Sequence, residues 1–456
     1  MQMTHLAPNS DRPPRAGRRP QASAAADHWG PLFVTLVLAC WAATFGIGFK
    51  AGLGILTACG FIAAIVGLFR PVIGLFGVGI LCTLDPLMNS FLFTGGLWRW
   101  NTFNYLLALV AVMSAPLLLG MSDARNRLAQ LFATLLGLEL LASPDWYTGL
   151  QDVAGVAALF GLVVYFARAA EDVAAWRWLA LVCGATAAAG GIAYFLQQTT
   201  LPYLNRNASA FLPLTALFAI SLAFPLARPG LRGQGILAIL AAANYTLVFL
   251  SGSRGTLLTA TGCGLVILIL TQRMRRRWVV VLTAGLVVLA MTRQFNARQS
   301  GAVNRINLLL NPQQSLLNRT SGRSALLIDG WHMFLDHPLG VGTGGYGVTR
   351  VNSAGAGPRW EPSSQLAAHA GWIKILAENG LPGIALIGPF VLSFAVAGWR
   401  SRNRDLLMLG LLVTLAFGLG FVSTEYQNKG LWFLAAGVMV LLRPGSVLTR
   451  RARGSA

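Results

Sequence analysis

The stretch VAGVAALFGLVVYFARAAEDVAAWRWLALVCGATAAAGGIAYFL, residues 153–196, decides the class of fold. Two apolar blocks flank a short polar link that holds Arg168, Glu171, Asp172 and Arg177. At about 1.5 Å of rise per residue, each block is the length a helix needs to cross roughly 30 Å of hydrocarbon. Blocks of this kind recur along nearly the whole chain, separated by short links that carry arginine. They are continuously apolar, whereas strands of a membrane barrel alternate over ~10 residues.

Composition agrees with that reading. The 456 residues are 55% hydrophobic and 11% charged, against about 25% charged in soluble domains. This excludes a soluble enzyme, a disulfide scaffold and a disordered protein, and predicts an all-α polytopic membrane protein. Candidate spans are 31–49, 52–69, 71–87, 101–120, 128–143, 149–168, 177–197, 208–227, 234–251, 255–271, 278–292, 380–399, 405–422 and 429–443. The blocks at 71–87 and 128–143 are short enough to be re-entrant, so twelve to fourteen transmembrane helices are expected. All five cysteines fall inside apolar blocks and read as packing residues.

A net charge of +20 would suggest nucleic acid in a soluble chain. Here the basic residues lie between spans, and topology explains them better. With the amino terminus inside, short inner links and tails hold 22 Lys and Arg, while short outer links hold only Lys50, Arg99, Arg206, Arg254 and Lys429. Under the positive-inside rule both termini are then cytoplasmic. The expected organisation is a disordered basic tail over 1–30, a helical bundle over 31–292, an outer loop over 293–379, further spans over 380–443 and a basic tail over 444–456.

The outer loop is too long to be a simple connection. Within it Leu326, Leu327, Gly330, Trp331, Phe334 and Leu335 recur at three-four spacing, which predicts an amphipathic helix lying along the membrane surface. A second helix is expected over 364–379, with His369, Trp372, Ile373 and Leu376 on one face and Lys374 and Glu378 four apart on another. Gly380 and Pro382 end it before the next span.

Few groups on this side can do chemistry. His332 and His337 are five apart, which does not set two imidazoles on one helical face, so a metal site is not expected. His337 precedes Pro338 and marks a helix end. His369 reads either as an interfacial histidine satisfied by water or as a general base. Arg254 in SGSRGTLL, Arg206 in NRNAS, and Arg319 and Arg323 before the amphipathic helix read either as side chains snorkelling to lipid phosphates or as a clamp on pyrophosphate. The run GVGTGGYG, 340–347, resembles a phosphate-cradling loop in composition, but turns also select glycine. Within the spans Glu139 is the one carboxylate expected well inside, with Asp85 near an end. That is sparse for an ion-coupled transporter or flippase, and a non-catalytic scaffold has no use for clustered outer Arg and His.

Three stretches together, SGSRGTLL at 251–258, Arg323 with GWHMFLDHPLGVGTGGYG at 330–347, and HAGWIKILAENGLPG at 369–383, resemble the O-antigen ligase and polymerase superfamily of bacterial envelope glycan assembly. The resemblance covers roughly 195–400. Ala370 follows His369 where the ligases commonly have Asn, Ser or Gln, a departure that touches a supporting hydrogen bond rather than the base. The resemblance implies a GT-C-type glycosyltransferase of the inner membrane. It would transfer a glycan from undecaprenyl-pyrophosphate to a sugar hydroxyl of lipid A-core at the periplasmic face, with neither metal nor nucleotide cofactor. It also implies that His369 matches the family's essential His, and Arg254 and Arg323 its essential arginines. The nearest rival is an O-antigen polymerase, whose acceptor is a second carrier-linked glycan. Lipid-anchored substrates in turn call for a lateral groove between helices with a basic roof.

Overall fold

A computed structural model describes residues 22–92, 102–121, 123–197, 206–227, 231–251, 253–270, 323–353, 370–422 and 429–454. Of these, 88% are helical and none lies in a strand. The expected all-α polytopic membrane fold is therefore the observed one. Away from its ends a helix bonds its backbone groups within its own segment, which is what hydrocarbon demands.

The helices follow the hydrophobic blocks closely. In chain order they are α1 (Ala22–Ile47), α2 (Phe49–Val66), α3 (Pro71–Leu87), α4 (Thr102–Met113), α5 (Ala115–Leu119), α6 (Ala124–Leu140), α7 (Trp146–Ala169), α8 (Val173–Gln197) and α9 (Arg206–Ala223). There follow α10 (Ile236–Ser251), α11 (Arg254–Leu270), α12 (Arg323–Asp336), α13 (Tyr346–Ser353), α14 (Gly371–Arg400), α15 (Arg404–Gly420), α16 (Lys429–Leu441) and α17 (Val447–Gly454). Seven helices among the described residues are long and apolar enough to span, and four more, including α3 and α16, are apolar but shorter. The expected span 278–292 lies outside the described residues. Helix α1 starts at Ala22, ahead of the expected boundary at 31, and carries Pro31 inside it.

The bundle has an inner and an outer set of helices. Helices α3, α7, α8, α9 and α16 pack on one another at the centre, and all the residues of α16 are buried. Small residues permit the closest approaches. A Cβ added to Gly77 of α3 would lie 2.7 Å from Ala63 Cβ of α2, the contact that a small residue at a helix interface exists to allow. Around the centre, α1, α2, α4, α6, α10, α11 and α14 present Phe45, Ile62, Val112, Leu138, Ile239, Ile269, Leu392 and Trp399 outward. An exposed apolar belt of this extent fits lipid as the surrounding solvent.

Charged groups inside the bundle are paired. Lys429, at the start of α16, bonds Asp85 near the end of α3, and Arg125 bonds Asp123 at the start of α6. The cysteines are free, and all but Cys59 are buried, in keeping with a packing role.

Candidate functional site

The region around the glycine run is built on one backbone clamp. Helix α14 is broken at Gly380, whose φ of 59° and ψ of −151° only glycine adopts readily. Across that break lies the segment 338–342: Val341 N–H donates to Ala377 O (3.0 Å), Gly342 N–H to Glu378 O (2.9 Å), and Leu381 N–H to Pro338 O (3.0 Å). The break frees carbonyls and an amide that the strap then satisfies. Gly340, Gly342 and Gly344 all have positive φ, and a Cβ on Gly340 would stand 2.1 Å from Glu378 O. The glycines thus serve tight turning and close approach.

Side chains lock the same joint. Glu378 accepts from Tyr346 N–H (3.2 Å) at the start of α13, while Tyr346 Oη donates to Leu326 O (2.7 Å) in α12. Glu139 Oε2 accepts from Thr343 Oγ1 (3.1 Å) and from Asn379 Nδ2. One turn into α14, Lys374 Nζ lies 2.9 Å from Asp152 Oδ2 in α7. Arg350 Nε donates to Asp329 Oδ2 (2.7 Å) and ties α13 to α12.

Three expectations are corrected by this geometry. The Lys374 and Glu378 face of the second helix is its buried face, at 3% and 0% exposure, because each charge finds a partner inside the protein. Trp372, Ile373 and Leu376 are only partly buried, although Trp372 Nε1 donates to Gly418 O of α15 (3.2 Å). The helix is described from Gly371, and 364–369 lie outside the described residues. The apolar face of α12 divides in two. Leu326, Gly330 and Met333 pack inward against α14, while Leu327, Trp331 and Leu335 stay exposed with Ile328. Finally, Glu139 is the penultimate residue of α6 rather than well inside a span, and Asp152 is a fully buried carboxylate that the sequence reading passed over. Its signal was present, an Asp opening an apolar block, but its partner is 222 residues away.

Of the expected site residues, His369 and Arg319 lie outside the described residues. Arg206, Arg254 and Arg323 are placed by their backbones as the first described helical residues of α9, α11 and α12. At Arg254 the reason is local. Ser251 Oγ donates to Val248 O at the end of α10, Ser253 N–H donates to Ser251 Oγ, Ser253 Oγ pairs with Thr256 Oγ1, and Leu257 N–H donates to Ser253 O as α11 begins. His369 stands two positions ahead of α14, beside Ala370, the extended residue that precedes the helix. No group of three His, Cys, Asp or Glu suited to a metal occurs among the described residues.

Below the start of α11 a cavity of about 330 Å³ opens between α9, α10 and α11. Leu217, Phe218, Phe249, Leu257 and Leu268 line it, and its few polar groups include the bonded pair Tyr245 and Thr261 (Oη to Oγ1, 2.8 Å).

No curated protein matches the chain. Residues 236–388 match the O-Antigen ligase family. That stretch runs from α10 through the start of α11 and the strap to the span that follows the Gly380 break, so the match and the clamp coincide, and over this segment, about a third of its length, the chain is similar to the O-antigen ligase family.

Proposed function

We propose that the protein is a GT-C-type O-antigen ligase of the bacterial inner membrane. In this reading it moves a glycan from undecaprenyl-pyrophosphate to a sugar hydroxyl of lipid A-core at the periplasmic face. The observation that carries the reading is the placement of the arginines. Arg206, Arg254 and Arg323 are the first described residues of three helices, and at Arg254, which follows the non-helical Ser253, unpaired amides and the helix dipole already favour an anion. Guanidinium groups there, with Arg319, would hold the pyrophosphate bidentately and stabilise the charge that builds as it departs. The apolar cavity one turn below Arg254 offers a place for the carrier's hydrocarbon chain.

The acceptor hydroxyl must lose a proton as it attacks the anomeric carbon. A neutral imidazole, with an ordinary pKa of about 6.5, can take that proton, and His369 is the residue assigned to it. The donor brings its own leaving group, so no nucleotide or metal is assigned a step.

A purified assay with carrier-linked glycan, lipid A-core, chelator and no nucleotide tests this. Wild type transfers; His369→Ala and His369→Gln lose about 10²- to 10⁴-fold, while His332→Ala stays near wild type. An amide can bond the hydroxyl but cannot accept its proton, so a His369→Gln enzyme within about tenfold of wild type would remove the mechanism. A deletion strain separates ligase from polymerase. Bare core with polymer accumulating on the carrier marks the ligase, and core capped with single repeat units marks the polymerase that uses a second carrier-linked glycan.

A further inference from the structure

The joint between α6, the strap and α13 encloses an open cavity of about 430 Å³, lined by Glu139, Ala142, His337, Leu339, the strap backbone and Thr349. Its chemistry is unbalanced. Both hydrogen bonds to the half-buried Glu139 fall on Oε2, which leaves Oε1 without a donor. In the same network the buried Asn379 Oδ1 also lacks a partner. His337 is exposed, and its imidazole makes no hydrogen bond or ion pair, with Glu139 or any other described residue. The cavity therefore offers a free carboxylate oxygen beside an unused imidazole.

Three ligand classes can be compared against that pattern. A metal ion finds too few ligands. An ammonium group can donate to the carboxylate and to the bare ring nitrogen of His337, but it leaves the imidazole N–H without an acceptor. Adjacent hydroxyls do both, one donating to Glu139 Oε1 and the next accepting from His337. Leu339, 74% exposed and part of the lining, adds an apolar surface suited to the C–H face of a sugar ring.

We propose that this cavity is a sugar-binding subsite in which Glu139 and His337 hold neighbouring hydroxyls of a glycan residue over Leu339. The proposal rests on the glycan-transfer reading of the protein and assigns the cavity a sugar other than the reacting one. Asn379, which bonds Glu139, is nine residues beyond Ala370, so the cavity is displaced about 13 Å along α14 from the helix start that follows His369. The bound sugar can belong to the acceptor core or to the donor glycan, and the chemistry is the same for both.

The test uses full-length protein in lipid nanodiscs with His337→Ala and Glu139→Gln. His337→Ala removes an exposed side chain with no internal bond, so it leaves the fold alone. Glu139→Gln can still accept from Thr343 and Asn379 through its amide oxygen but turns the free position into a donor. For both variants the KM of one glycan substrate should rise about tenfold while kcat stays within about twofold. A rise confined to lipid A-core places the acceptor in the cavity, and one confined to the carrier-linked glycan places the donor there. Unchanged KM for both substrates, with or without a fall in kcat, overturns the proposal. If wild type transfers no glycan at all, the enzymatic reading fails by itself. Titration of free core oligosaccharide and free O-glycan then decides the cavity, since weaker binding by the variants supports it and equal or absent binding overturns it.

Discussion

Lys374 and Asp152 form an ion pair, Nζ to Oδ2 2.9 Å, that joins the first turn of α14 to α7 with both side chains out of contact with solvent. Such a pair adds little by its presence, but breaking it strands a charge, at a cost of about 3–5 kcal/mol. Lys374→Met and Asp152→Leu should each lower abundance and melting temperature in detergent. The double variant should recover most of both. A double variant as unstable as the singles would mean that the pair's geometry, rather than charge compensation, sustains this contact.

Gly380→Ala should fail through the strap. The backbone conformation alone costs an alanine about 1–3 kcal/mol, and its Cβ would stand 2.2 Å from Pro338 O. Gly388→Ala, in the same helix, meets nothing within 4 Å and should be neutral or slightly stabilising. Comparing the amounts of folded protein by fluorescence-detected chromatography checks both; normal yield of Gly380→Ala would show that 338–342 can move away without loss.

Arg254→Ala and Arg323→Ala should lose glycan transfer far more than they lose protein, because each removes a proposed phosphate contact. Lysine at either position should restore only part of the rate, since an ammonium cannot bind phosphate in the bidentate manner of guanidinium. Single-turnover rates of purified variants measure this. Full activity with lysine at both positions would reduce the clamp to generic positive charge.

Topology is open to labelling. With both termini cytoplasmic and 293–379 periplasmic, a membrane-impermeant thiol reagent applied to intact spheroplasts should modify Gly355→Cys and spare Arg404→Cys. The reverse pattern would invert the protein in the membrane and remove the proposed compartment for the reaction.

The helices were legible because a span must be apolar over its own length, so the information is local. The bounds of α3 coincide with the block read at 71–87, and α16 begins at Lys429 as expected. Pairings across the bundle were not legible. Lys374 four residues from Glu378 looks like a solvated helix pair, and nothing nearby announces that one charge meets Asp152 and the other the Tyr346 amide. Lys429, counted among outer loop charges, is a buried partner of Asp85. The candidate site divides the same way. The SGSRGTLL motif is local and was readable, whereas the cavity between Glu139 and His337 joins residues about 200 positions apart in the chain.

The burial of α16 has a consequence for biogenesis. This helix belongs to the centre of the bundle, yet it is translated after the helices that surround it, and its Lys429 neutralises a carboxylate made 344 residues earlier. Asp85 must wait in the translocon or the half-built bundle as an uncompensated acid until the ribosome has delivered α16. A nascent chain that stalls before Lys429 would hold a central vacancy and an orphan carboxylate, two features by which a membrane protease can recognise an unfinished product.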